Sequence, residues 1–139
     1  RKSGFEPAPI ARYLEANAAK LTAAQLAPTA ATAAAETAAR LRELAAGLLA
    51  PPDGTPALSL EQMDRTLSVL EEKLLAALLT ATPESEVTAL REQAARELAP
   101  YRGKMQAVQI KQVQQQFLQK RLLETNSLPR LSLFYMPHE

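Results

Sequence analysis

Few side chains in this sequence have the types and spacing that catalysis or metal binding requires. His138 is the only histidine and cysteine is absent, so the usual ligands of zinc and other first-row metals are missing. Carboxylate pairs do occur, such as Glu71–Glu72 and Glu84 with Glu86. We interpret these pairs as solvated helix faces or as partners of a helix N-terminus. The four glycines form no phosphate-binding or dinucleotide-binding loop. We therefore expect a protein that is not an enzyme and needs no cofactor or metal.

Basic side chains near the end of the sequence could contact the phosphates of a nucleic acid. Residues 57–100 hold eight acidic and four basic side chains, whereas residues 101–130 hold six basic and one acidic. The net charge of +1 excludes a strongly basic nucleic-acid-binding protein. The cations also do not share one face at 100° per residue, so we keep nucleic-acid binding only as the alternative function. The possible phosphate contacts are Lys104, Lys111, Lys120 and Arg121.

Alanine and leucine, which favour helices, dominate the composition, and strand-forming aromatic residues are scarce. The chain has three phenylalanines, three tyrosines and no tryptophan. No apolar run reaches the length of a membrane span. Because small extracellular domains often depend on disulfides, the lack of cysteine favours an intracellular protein, either cytoplasmic or nuclear.

Helical periodicity recurs between proline and glycine signals. Apolar residues from Ile10 onward share one face, and a second helix follows Pro28 and stops before the turn sequence "PPDG" at residues 51–54. Ser59 and Gln62 form a capping box that opens a third helix. That helix carries a heptad-like seam of Leu60, Met63, Leu67, Leu70, Leu74 and Ala77.

Two further helices are predicted in the second half of the chain. Thr82 and Pro83 are expected to begin the fourth helix as N-cap and first residue. The last helix is predicted as one continuous element over residues 102–126, because Leu128–Pro129 disfavours its continuation.

These elements predict an all-α fold, an elongated antiparallel bundle of four to five helices arranged as coiled-coil-like hairpins. Residues 1–9 are expected to form an extended arm, residues 10–126 the bundle, and residues 127–139 an extended apolar segment. That segment must be covered, because exposed apolar strands aggregate. Its side chains could pack on the bundle itself or dock on another subunit, and the sequence leaves both alternatives open.

The function expected from these features is that of a non-catalytic interaction module, a subunit, scaffold or adaptor in a larger protein complex. Helix packing with other protein subunits, of the same or another kind, would use the helix over residues 60–79, the last helix and the C-terminal segment. The predicted partner-binding residues are Leu131, Leu133, Phe134, Tyr135, Met136, Ile110, Val113 and Phe117.

Overall fold

The computed structural model describes residues 6–49 and 59–136, with only the backbone described for Tyr135. This part of the chain forms five α-helices and contains no strand, so the predicted all-α bundle is confirmed. The helices are α1 (Pro7–Ala23), α2 (Pro28–Leu49), α3 (Leu60–Ala81), α4 (Glu84–Leu98) and α5 (Ala107–Thr125). Two short 3-10 helices, Ala99–Lys104 and Leu133–Tyr135, follow α4 and α5. Residues 7–9, which were predicted to belong to an extended arm, instead form the first turn of α1. Residues 1–5 of that arm lie outside the described part of the chain.

Helices α1 and α2 pack against each other, and alanine is common among the side chains that they bury. Pro7 and Pro9 occupy the first turn of α1, where a missing N–H breaks no helical hydrogen bond. Small side chains allow two helix axes to approach more closely than leucines would. The buried alanines are Ala11 and Ala18 on α1 and Ala30, Ala34, Ala38 and Ala45 on α2.

The capping box that the sequence predicts at the start of α3 is present. The N–H of Gln62 donates to the Ser59 hydroxyl at 3.1 Å, and the Ser59 N–H donates to the Gln62 side chain at 2.9 Å. Met63, Leu67 and Leu74 of the predicted seam are buried, whereas Leu60 in the first turn is 45% exposed. Leu75 and Leu78 are buried beside the seam, which allows α3 to pack against both α2 and α5.

Two predicted helix boundaries in the second half are wrong. Thr82 ends α3, and its hydroxyl donates to the Leu78 carbonyl at 2.7 Å instead of capping the next helix. The predicted continuous helix over residues 102–126 is interrupted. After the 3-10 turn that contains Pro100, Met105 is extended and α5 begins at Ala107. Gln106 and Gln109 form a capping box that starts this helix, and the Gln106 N–H donates to the Gln109 side chain at 3.0 Å. Gln106 occupies the N-cap position where the sequence pattern has Ser or Thr, whereas Gln109 fits the pattern.

A Schellman motif ends α5 and fixes the direction in which the chain leaves it. The Leu128 N–H donates to the Leu123 carbonyl at 2.8 Å, and the Ser127 N–H donates to the Glu124 carbonyl at 3.0 Å. Ser127 has a φ of 59°, the left-handed conformation that this motif requires at that position. Leu123 and Leu128 are both buried, so the apolar contact that usually accompanies the motif has its two residues in the core.

Candidate protein-binding site

The C-terminal segment, defined here as residues 128–136, folds back onto the bundle. Leu131 is 0% exposed and belongs to the hydrophobic core, and Leu133 and Met136 pack partly buried against that core. The sequence left open whether this segment packs on its own bundle or on another subunit. In the structure these three residues pack on the chain's own bundle. The following residues 137–139, with His138 among them, lie outside the described part of the chain.

Two carboxylates of α3 bind the backbone of the C-terminal segment. Glu71 Oε2 accepts the Leu131 N–H at 2.8 Å and lies 3.5 Å from Arg130 Nε. Asp64 Oδ1 accepts the Leu133 N–H at 2.7 Å and the Ser132 hydroxyl at 3.0 Å. Asp64 and Glu71 are spaced by two helical turns, so both face the segment from one side of α3. Because hydrogen bonds to a charged acceptor are stronger than neutral ones, the two carboxylates anchor the segment.

Helix α1 contributes one further anchor, the phenol of Tyr13. Its oxygen lies 3.1 Å from the carbonyl oxygens of both Arg130 and Ser132, and the single hydroxyl proton is shared between them. Burial raises the pKa of the Tyr13 phenol, and the negative charges of Glu71 and Asp64 act in the same direction. The Asn17 amide and the charge of Arg130 oppose this increase in pKa. Tyr13 therefore stays protonated, as a hydrogen-bond donor must.

An open recess of about 710 Å³ lies between α5 and the C-terminal segment, and we call it the α5 groove. Its volume falls in the range of typical ligand sites. Four apolar side chains contribute to it, and polar and charged side chains of both signs complete its lining. The lining residues are Val113, Phe117, Leu123 and Leu128, with Gln116, Gln119, Lys120, Glu124 and Arg130.

The structure brings only some of the predicted partner-binding residues to this groove. Val113 and Phe117 line it and remain partly exposed. Ile110 is also partly exposed but lies outside the groove lining. Phe134 is 88% exposed, the largest exposure among the exposed large apolar side chains of the described residues. The side chain of Tyr135 is not among those described.

The predicted phosphate-contacting residues are not brought together. Lys120 lines the α5 groove, whereas Lys111 lines a different recess between α4 and α5. Arg121 pairs with Glu124 at 3.4 Å, and Lys104 lies in the 3-10 turn before α5. Cations on opposite sides of a helix cannot track one nucleic-acid backbone, so the arrangement gives nucleic-acid binding no support.

Tyr13, Asp64 and Glu71, the three side chains that hold the C-terminal segment, were not predicted from the sequence. The interpretation of Glu71 as part of a solvated helix face is wrong, because its side chain is 13% exposed and binds Leu131. The only sequence signal was the placement of Asp64 and Glu71 beside the apolar seam of α3, where a carboxylate needs a partner. Tyr13 gave no comparable signal, because its partners are backbone carbonyls that any residue carries.

Within the described ranges, no group of three or more His, Cys, Asp or Glu side chains could hold a metal ion. None of the helices in the same ranges combines the length and apolar character needed to cross a membrane. Compared with known proteins, the chain matches no family model, no curated protein and no solved structure.

Proposed function

We propose that the chain is a non-catalytic helical interaction module, a subunit or adaptor of a larger protein complex, and that it binds a partner protein at the α5 groove. The observation that carries the proposal is the partly exposed apolar face of Val113 and Phe117 beside an open recess. Apolar side chains that remain accessible at the edge of a concave surface are typical of sites that receive an apolar face of another protein.

The composition of the groove supports a protein partner over a small molecule. Its lining combines four apolar side chains with Lys120, Glu124, Arg130 and two glutamines, and protein interfaces likewise combine apolar and polar side chains. Because the lining carries charges of both signs, it favours an amphipathic partner surface over a uniformly charged one. The lack of cysteine in the chain fits a complex inside the cell.

Co-purification from the source cells with matched variants tests this proposal. A Val113→Glu variant places a charge in the groove, and Val69→Glu makes the same change on α3, where Val69 is 46% exposed. We expect one set of proteins to copurify with the wild type and with Val69→Glu. The yield of that set should fall at least about tenfold with Val113→Glu, as expected when about 1.4 kcal/mol or more of binding free energy is lost.

The design also separates the rival interpretations. Both variants must show wild-type helicity by circular dichroism, so that loss of binding is not loss of folding. Equal recovery with Val113→Glu and the wild type would exclude the α5 groove as the binding surface. Partners that disappear on nuclease treatment and at raised salt would instead indicate nucleic-acid binding.

A further inference from the structure

The C-terminal segment is held in the manner of a bound peptide. The backbone groups of residues 130–133 that face the bundle bond to side chains of Tyr13, Asp64 and Glu71. Recognition of an extended peptide uses the same division, in which main-chain hydrogen bonds supply affinity and side-chain contacts supply specificity. We call these three side chains, with the apolar space that Leu131 fills, the segment-binding site.

Each side chain of the segment from Arg130 to Leu133 also makes a different kind of contact with the bundle. Glu71 pairs with the arginine, a fully buried space takes the following leucine, and Asp64 accepts the serine hydroxyl. Leu133 then packs partly buried against the core. The contacts therefore follow the order basic, apolar, hydroxyl, apolar, which in this chain is Arg130 to Leu133.

None of these contacts requires the covalent connection between α5 and the segment. The hydrogen bonds are made by Tyr13 on α1 and by Asp64 and Glu71 on α3, which lie 60 to 119 positions from their partners in the segment. The connection passes through Ser127, whose left-handed conformation is unfavourable for a residue with a side chain. For the hydrogen bonds to Tyr13, Asp64 and Glu71 the link supplies local concentration. Its own contacts are those of Ser127 and Leu128 at the end of α5.

We infer that the segment-binding site recognises an extended segment of a partner protein with the order basic, apolar, hydroxyl, apolar, and that the chain's own segment occupies it as an internal ligand. This binding site is separate from the α5 groove, although the two are connected. Leu128 and Arg130 line the groove, so displacement of the internal segment by a partner segment removes two residues from the groove lining.

A labelled peptide of sequence LPRLSLFYM, added to the full chain and followed by fluorescence anisotropy, tests the inference. The wild-type chain should bind it weakly, because a tethered competitor acts at an effective concentration of about 1 mM. A Leu131→Asp chain, whose own segment cannot enter the apolar space, should bind at least about tenfold more tightly than the wild type. An Arg130→Glu chain should do the same, because two carboxylates then repel at Glu71.

Specificity is checked by exchanging the charges. In the Leu131→Asp background, adding Glu71→Arg should abolish binding of the original peptide. A peptide with glutamate in place of its arginine should then bind to that double variant. A peptide of the same composition in scrambled order serves as the control and should bind to none of the chains.

Three results would overturn the inference. One is that neither the Leu131→Asp nor the Arg130→Glu chain binds the peptide while both retain wild-type helicity. Another is equal binding of the scrambled peptide. The third is concentration-dependent dimerisation of the wild type by light scattering, abolished by Arg130→Glu, which would show that the segment of a second copy occupies the site.

Discussion

Replacing Leu131 with alanine is expected to destabilise the bundle, because this is the most deeply buried side chain of the C-terminal segment. Leu131 is 0% exposed, and truncating a buried leucine costs about 2–5 kcal/mol, through lost burial and the cavity that remains. A central value of about 3 kcal/mol, divided by a urea m-value of about 2 kcal/mol/M, corresponds to a midpoint about 1.5 M lower.

The segment can also respond by detaching, which limits the loss to the free energy that holds it in place. Hydrogen exchange distinguishes the two responses. If the segment stays docked, the amides of Leu131 and Leu133 remain protected by Glu71 and Asp64. If it detaches, both amides exchange rapidly while the amides of α2 keep their protection.

The matched control is Phe134→Ala in the same segment. Phe134 is 88% exposed, so its truncation should change the free energy of unfolding by less than about 0.5 kcal/mol. Urea denaturation followed by circular dichroism gives both values. Equal midpoints for the two variants, with unchanged exchange at Leu131, would show that burial of Leu131 does not contribute to stability and would refute the reasoning.

Three further predictions concern the helix ends and the segment anchors. Ser127→Gly should raise the free energy of unfolding by about 0.5–1 kcal/mol, because glycine adopts the φ of 59° without strain; a lower urea midpoint would contradict the Schellman geometry. Ser59→Ala should lower the free energy of unfolding by about 1 kcal/mol, because the α3 cap is lost. Ser59→Asp should largely avoid this loss. Burial raises the pKa of Tyr13 above that of tyrosine in an unfolded chain, which is about 10. The contribution of protonated Tyr13 to stability should therefore be complete below about pH 10. It should be lost as the pH rises through the higher pKa of the folded state. Urea midpoints measured across that range should fall with pH in the wild type, whereas a Tyr13→Phe chain should lack this component.

Local pattern was sufficient to predict α2 and α3. Pro28 and the capping box at Ser59 mark where these helices begin, and the signals act over a few residues. The core positions Leu67 and Leu74 follow from a period that is a property of the helix itself. Such features can be predicted because the interacting groups are close in sequence.

The start of α5 shows where local pattern is ambiguous. Apolar residues recur from Met105 to Leu123 without a break in the sequence, and the start of α5 is set by the 3-10 turn Ala99–Lys104 and the extended Met105. The cap that follows uses Gln106 and Gln109, residues that are common inside helices and therefore mark no boundary.

The docking of the C-terminal segment could not be predicted from sequence. The Glu71 bond to Leu131 joins residues 60 apart, and the Tyr13 bond to Ser132 joins residues 119 apart. Contacts between a side chain and a distant backbone have no periodicity. For the same reason the sequence could identify the apolar face of α5 but not the groove, whose lining also includes Leu128 and Arg130.

The long separation between Tyr13 and the segment also has a consequence for the order of folding. The α1–α2 interface joins neighbouring helices, so we expect it to form early, whereas docking of the segment closes a loop of 119 residues and should follow. Mutations at Leu131 should then accelerate unfolding and leave the refolding rate almost unchanged, which is the kinetic signature of a contact made after the transition state. The segment would act as the last part to dock in folding and the first to leave in unfolding.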